Sequence, residues 1–317
     1  MKICLISFDH WGFDKHIITA LQQRGVEANH INLSNFKYKY PSFMHRITNG
    51  LNKLVLKKNI KKLKRQEYVL NELKAIGKQD TILVIRPDLL DRKTHLAIKQ
   101  ATNNYKAYLY DCTARFPVDH LLDDVFDSVA SFDENDVKKY NLMHLSNYIY
   151  LPKKETACPT TLRHNVFMVI SKDERLPVLN AIANKLDAIN IDYKFIVKTS
   201  KRPDNLNPKI ETSKTEIRIN ELIKYLDESE IFLDIVRKGH NGLSFRIFES
   251  LAYQKKLITT NQSIENYDFY NPDNILIIDE DNVSIDPEFF NKPYIPLSEE
   301  VYNKYTIDNW IDSVFFN

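Results

Sequence analysis

The residues best placed to do chemistry stand in the run Val236-Arg237-Lys238-Gly239-His240-Asn241-Gly242, which follows the apolar segment Ile231 to Ile235. The run leads into a helical pattern that begins near Leu243 or Ser244. A glycine-containing loop opening a helix presents unpaired backbone N–H groups and the positive end of the helix dipole, and both suit a pyrophosphate. Arg246 stands where a guanidinium adds a charge-assisted contact to phosphate, and Glu249, three residues along the same face, is spaced to accept from ribose hydroxyls. The same residues also spell a capped helix with a surface i, i+3 ion pair, which is worth little energetically. Both readings stay open at this point.

A second group of candidates lies in the first half. Asp111 directly follows an apolar strand and has Arg115 four residues on, while Asp9, His10 and Asp14 gather in the first strand-to-helix turn. A strand-end carboxylate suits a general base. An Asp there also suits a cap for the next helix through its backbone N–H groups. Elsewhere, Asp279-Glu280-Asp281 has the Asp-x-Asp spacing used for divalent cations but reads as a solvated acidic turn. The histidines form no His-x-x-x-His pair, and neither a Gly-x-Ser-x-Gly elbow nor a Walker-type loop is present. Hydrolase, metalloprotease and nucleoside triphosphatase chemistry are therefore disfavoured, and no metal is expected.

The elements that must position these residues alternate. Ile3 to Phe8 is an apolar run of strand length, a helix with Ile17, Ala20 and Leu21 on one face stops at Gly25, and Val26 to Leu33 returns extended. Further strands are predicted at Thr81 to Ile85, Lys106 to Tyr110 and Ser128 to Phe132, with a helix from Asp91 to Gln100. The second half repeats the pattern. Strands are predicted at Val166 to Ile170, Tyr193 to Val197, Ile231 to Ile235, Leu257 to Thr260 and Ile275 to Ile278, with helices at Leu176 to Ala188, Ile217 to Leu226 and Leu243 to Tyr253. A closing helix is predicted over Glu299 to Phe316. Such alternation indicates an α/β chain with parallel sheets, doubly wound. Proline and threonine around Leu151 to His164 read as a connection, which sets the expected domains at 1–155 and 156–317, with the last helix free to cross back.

A chain of 317 residues supports two such domains, and 43% hydrophobic with 27% charged residues excludes a disordered or fibrous reading. The three scattered cysteines, Cys4, Cys112 and Cys158, fit a reducing compartment. Neither a signal peptide nor an apolar run of about 20 residues is seen, so a cytoplasmic protein is expected. A net charge of +2 is too small to argue for nucleic acid. The positive charge is nevertheless concentrated in the segment 53–65, where Lys53, Lys57, Lys58, Lys61, Lys62, Lys64 and Arg65 alternate with apolar residues like a basic amphipathic helix. Such a helix is either a solvated face or a peripheral contact with an anionic membrane, at about 1 kcal/mol per lysine.

Taken together, several motifs resemble the GT-B-fold glycosyltransferases of bacterial lipopolysaccharide and capsule biosynthesis. They are Gly242-Leu243-Ser244-Phe245-Arg246-Ile247-Phe248-Glu249-Ser250-Leu251 with Lys255 to Asn261, and in the first half Ile85-Arg86-Pro87-Asp88, Tyr108-Leu109-Tyr110-Asp111, Phe126 to Val129 and Ser131 to Asp136. Asn165 to Ile170, with Arg175 beyond, continues the series. The pattern departs at Cys112, where a serine is usual, and near Ser171, where a glycine is usual. The resemblance implies two Rossmann-like domains whose parallel sheets face across a cleft, and a nucleotide-sugar as substrate rather than any bound cofactor. By the same resemblance Glu249 holds the donor ribose and Arg246 the diphosphate, with Gly242, Leu243, Ser244, Lys198 and Arg175 also on the donor side. The acceptor, a glycan or lipid-linked glycan, is then expected on the amino-terminal half with Asp9, Asp14 and Arg115, and if the reaction inverts the strand-end Asp111 is the first choice of catalytic base and His10 the second. Two other classes share these motifs: a noncatalytic nucleotide- or glycan-binding subunit, and a GT-B-like nucleotide-sugar epimerase.

Overall fold

The computed structural model describes residues 1–42, 44, 47, 59–154 and 163–316. It divides into two compact units, Met1–Leu145 with the chain end from Phe315, and Ser146–Val314. The boundary expected between 155 and 156 lies outside the described residues, and the segment from Ser146 that precedes it groups with the second unit.

In the first unit, β1 (Lys2–Ser7), β2 (Glu27–Asn32), β3 (Gln79–Ile85), β4 (Thr102–Leu109), β5 (Ser128–Ser131) and β6 (Met143–His144) form one sheet in the order β2-β1-β3-β4-β5-β6. Every pairing is parallel. The helices are α1 (Asp14–Gln23), α2 (Ile60–Ile76), α3 (Arg92–Gln100), α4 (Asp119–Leu122) and α5 (Glu134–Tyr140). Strands β1 and β3 are almost continuously apolar because both of their faces are covered. Helix α1 turns Ile17, Ile18, Ala20 and Leu21 inward and ends where Gly25 takes φ +76°, a left-handed conformation that costs glycine nothing. Cys4, Ile6, Val69, Leu73, Val84, Ile98 and Phe126 lie together in its core.

The basic helix expected over 53–65 is found in altered form. Residues 53–58 lie outside the described residues; Asn59 caps α2 by accepting from the Lys61 N–H at 3.0 Å, and the helix then continues to Ile76. It buries Gln66, Val69 and Leu73 and leaves Lys61, Lys62 and Lys64 in solvent. No helix among the described residues is long and apolar enough to cross a membrane.

In the second unit, β7 (His164–Ser171), β8 (Tyr193–Lys198), β9 (Glu211–Ser213), β10 (Ser229–Asp234), β11 (Lys256–Thr259) and β12 (Ile275–Ile277) form another all-parallel sheet, in the order β9-β8-β7-β10-β11-β12. Its helices are α6 (Leu176–Ala188), α7 (Ile219–Glu228), α8 (Phe245–Tyr253), α9 (Glu288–Asn291), α10 (Glu299–Lys304) and α11 (Ile307–Ile311). Winding runs outward in both directions from the β7–β10 pair, and at such a reversal the carboxyl ends of the two strands are left open to a ligand. In the first sheet the corresponding reversal is at β1 and β3.

The closing helix expected over Glu299 to Phe316 is broken. Ile149 donates to the Tyr305 carbonyl at 2.7 Å and accepts from the Ile307 N–H at 3.1 Å, so the chain is drawn out at Thr306, whose hydroxyl then caps α11. The last turn, Asp312–Phe316, is π-helical.

Candidate functional site

Helix α8 begins as its sequence implies. Ser244 caps it by accepting from the Arg246 N–H at 3.2 Å, and the same hydroxyl donates to Asp234 Oδ1 at 2.7 Å, so the cap is fastened to the end of β10. Asp234 in turn accepts from Thr259 on β11. The preceding loop is set by Gly239 at φ +82° and by side chains that occupy its carbonyls: Ser263 donates to the Asn241 carbonyl, Asn261 to that of Gly242, and Asn147 to that of Leu243. Among the described residues, the N–H groups of Gly242, Leu243 and Ser244 have no hydrogen-bond partner. Ser244 is the N-cap of α8, and Gly242 and Leu243 are the two loop residues that lead into it.

Arg246 and Glu249 are together but inside. The α8 sequence is apolar on nearly every side, so the helix is buried and carries its i, i+3 pair with it. Their charged atoms meet at 2.6 Å, as an ion pair outside good hydrogen-bond angles, with the Glu249 side chain 2% exposed and that of Arg246 12%. The second Glu249 oxygen accepts from the Tyr150 hydroxyl. The Arg246 guanidinium lies 5.3 Å from the Phe167 ring centre and 5.9 Å from that of Phe232. Burial pushes the Glu249 carboxyl up, making it a weaker acid than usual, and Arg246 and Tyr150 recover part of the shift. The surface pair weighed from the sequence is thus an interior one, and in this structure Glu249 is engaged by Arg246 and Tyr150 rather than presented to solvent.

The strand ends at the β7–β10 reversal hold a different cluster. Asp173 accepts from Arg175 Nε at 3.0 Å and Nη2 at 2.8 Å, and Arg237 Nη2 reaches the same carboxylate at 3.0 Å. Arg175 also donates to the Ile235 carbonyl at 3.1 Å, which ties the start of α6 to the end of β10. Burial pushes Asp173 up, but the two guanidiniums outweigh it and hold the carboxyl below its usual value. The more exposed Glu174 lies 3.7 Å from Arg237 Nη1, so Asp173 is the buried carboxylate that holds both guanidiniums and Glu174 a looser, solvent-screened partner of one of them. The sequence places Arg175 and Arg237 in separate candidate segments, and only the sheet order brings them together on Asp173. Lys198, at the end of β8, is half-buried and paired with Glu216.

In the first unit the β1–α1 turn is organised by Asp9. Its carboxylate accepts from the Gly12 N–H at 2.7 Å and the Lys15 N–H at 3.0 Å, and its backbone is bound by Asn32 and Ser34. Asp14, 5% exposed, opens α1. Burial, and then the negative charge of Asp9, push its carboxyl up to about 7 against the Ser7 hydroxyl. Ser7 Oγ lies 2.9 Å from His30 Nε2. His10 is exposed, stacked on Phe8 and edge-on to Trp11.

Asp111 pairs with Arg115 at 2.8 Å. The segment after β4 is capped instead by Asp136, which accepts from the Thr113 N–H at 2.7 Å and the Thr113 hydroxyl at 2.6 Å. Asp136 sits inside a motif already noted in the sequence, yet its partner lies 23 residues away and left no local signal.

No protein-family model and no curated protein sequence matches the chain. Solved structures do resemble it. AviGT4, a glycosyltransferase involved in avilamycin A biosynthesis, superposes with a TM-score of 0.61 at 9% identity over 99% of this chain and 95% of its own. UDP-GlcNAc 2-epimerase from Neisseria meningitidis gives 0.52 at 10% identity, covering 99% and 98%. The catalytic domain of starch synthase IV from Arabidopsis thaliana, bound to ADP and acarbose, gives 0.51 at 8% identity, covering 98% and 94%. At such identities the likeness is one of fold. The chain has the GT-B type of fold, with two Rossmann-like domains.

Proposed function

We propose that the chain is a glycosyltransferase that takes its sugar from a nucleoside diphosphate donor. The observation that carries this reading is the gathering of Arg175 and Arg237 on Asp173 where the winding of the second sheet reverses, with the unpaired N–H groups of residues 242–244 in the next strand-to-helix loop. Departure of a nucleoside diphosphate develops negative charge, and fixed guanidiniums and amides stabilise that charge without reorganising. In this reading Arg237 joins Arg175, Lys198 and the 242–244 loop on the donor side. Arg246 and Glu249 act from behind, holding α8 in place through their buried pair.

The acceptor hydroxyl belongs at the carboxyl ends of β1, β3 and β4. Among the groups there Asp14 is pushed up to about 7 by burial and by Asp9, which suits a general base. Asp111, the first choice on motif grounds, spends an oxygen on Arg115, and His10 remains the second. The motifs of the chain favour a lipopolysaccharide, capsule or related glycan as acceptor.

A thermal-shift screen across nucleoside diphosphates and nucleotide sugars tests the proposal, since a donor at 100 times its Kd adds about 2.7 kcal/mol of stability. Product analysis of any hit, with and without glycan acceptors, then separates transfer from epimerisation of the donor alone. The proposal fails if no nucleotide stabilises the protein.

A further inference from the structure

Beside the first unit's strand ends stands a group of arginines for which the donor chemistry has no use. Arg86 follows β3 directly and takes φ 64° and ψ 57°, a left-handed conformation that costs a side-chain-bearing residue of order 1 kcal/mol or more. It is held there. Its Nε and Nη2 donate to both oxygens of Asp88 at 2.7 and 2.9 Å, and its guanidinium carbon lies 3.5 Å from the ring centre of Phe116. The next residue, Pro87, has its carbonyl bound by buried His95, whose other ring nitrogen meets the Tyr105 hydroxyl. Arg115 shares the Phe116 ring from 4.8 Å.

Arg65, on α2, adds a third guanidinium within electrostatic reach of Arg86 and Asp88. It is only partly exposed, its Nε is fully buried, and among the described residues it has no hydrogen-bond or ion-pair partner. A half-buried cation beside another cation, with a donor taken out of water and not re-bonded, is a destabilising arrangement unless an anion meets it. Among the described residues the carboxylates beside Arg65, Arg86 and Arg115 are those of Asp88 and Asp111, so the cluster retains positive charge. Lys61 and Lys62 on the exposed part of α2 add to the field around it, while Lys64 is paired with Glu67.

We propose that Arg65 and Arg86 form a subsite for an oxyanion, a phosphate or carboxylate carried by the acceptor, with Phe116 as the plate that holds Arg86 in register. The role given to the oxyanion rests on the glycosyltransferase reading; the anion site itself rests only on these residues. Arginine suits the task because it keeps its charge at every accessible pH and carries five N–H donors, of which Asp88 occupies two on Arg86.

The test is NMR of the arginine Nε–Hε groups in the full chain during titration with inorganic phosphate, with signals assigned from Arg65→Lys, Arg86→Lys and Arg237→Lys variants. Saturable movement of the Arg65 and Arg86 signals is expected, retained in the Arg237 variant. The Arg65→Met variant should bind phosphate at this site about tenfold more weakly or worse, the value of one charge-assisted hydrogen bond, and should bind nucleoside diphosphates as the parent does. Glucuronate and glucose 1-phosphate, with methyl glucoside as neutral control, distinguish a carboxylate from a phosphate source. Movement confined to Arg175 and Arg237, or equal shifts with the neutral sugar, overturns the proposal. If Arg65 responds while no nucleotide binds, the anion site stands and the transferase reading falls.

Discussion

Replacing Asp14 by Asn should make the first unit more stable in mild alkali and leave it no more stable in acid. The carboxyl is pushed from 3.8 to about 7, so the folded state holds its proton through a range in which the unfolded chain has lost it. A raised folded value means the contribution is fully present below about pH 4 and is lost as the pH rises through 7. A rise of that size corresponds to about 4 kcal/mol, the upper limit of what Asp14→Asn can restore at pH 8. His95 works in the opposite sense. Fully buried between Tyr105 and the Pro87 carbonyl, it is pushed down to about 4 by burial, so its contribution is complete above 6.5 and drains away as the pH falls towards 4, by about 3 kcal/mol. Between pH 4 and 7 the two nearly cancel in the parent protein. Urea unfolding of parent and Asp14→Asn at pH 5, 6.5 and 8 reads the balance: the variant should gain stability at pH 8 and show an unmasked loss on acidification. Equal pH profiles for the two proteins would mean that Asp14 ionises as an ordinary carboxylate, and would remove it as the proposed base as well.

Other expectations follow from the same geometry. The converse variant, His95→Asn, should lose stability at pH 7 by removing a buried hydrogen-bonding ring, and should lack the acid-side loss that Asp14→Asn unmasks; comparison of their urea midpoints from pH 7 to 4.5 checks this. Breaking the interior pair from either side, with Arg246→Ala or Glu249→Ala, should cost about 3–5 kcal/mol because an unpaired charge remains buried, whereas the double variant should lose clearly less than the sum. A strictly additive double-mutant cycle would show that the two residues are not coupled. In steady-state assays with an identified donor, kcat should rise with pH along a limb near 7 in the parent, and that limb should disappear in Asp14→Asn; an unchanged limb assigns the base elsewhere.

The parts of the fold visible in the sequence are those specified by short-range pattern. Helix α6 falls on the expected Leu176 to Ala188, and the central strands are continuous apolar runs because parallel sheets bury both faces. Edge strands β6 and β9, two and three residues long, carry no such pattern. The break at Thr306 was hidden because it is imposed by Ile149, far away in the chain. The site divides in the same way. Ser244 as a cap and the glycine loop before it are local features. The interior position of Arg246 and Glu249 depends on Tyr150, Phe167 and Phe232, and the pairing of Arg237 with Asp173 depends on β7 and β10 being neighbours. Asp111 drew attention as a strand-end carboxylate, while the residue that caps that segment, Asp136, was indistinguishable from its neighbours without the contact to Thr113.

Where a nucleoside diphosphate binds is the question on which the transferase reading turns. Calorimetric titration of the best nucleoside diphosphate into the parent protein and into Arg237→Ala, with melting curves to establish that the variant is folded, measures it. Binding at one site in the parent, weakened about tenfold to a hundredfold in the variant, is the predicted result for loss of one charged contact to phosphate. Equal affinity in the two proteins, with both folded, would contradict it.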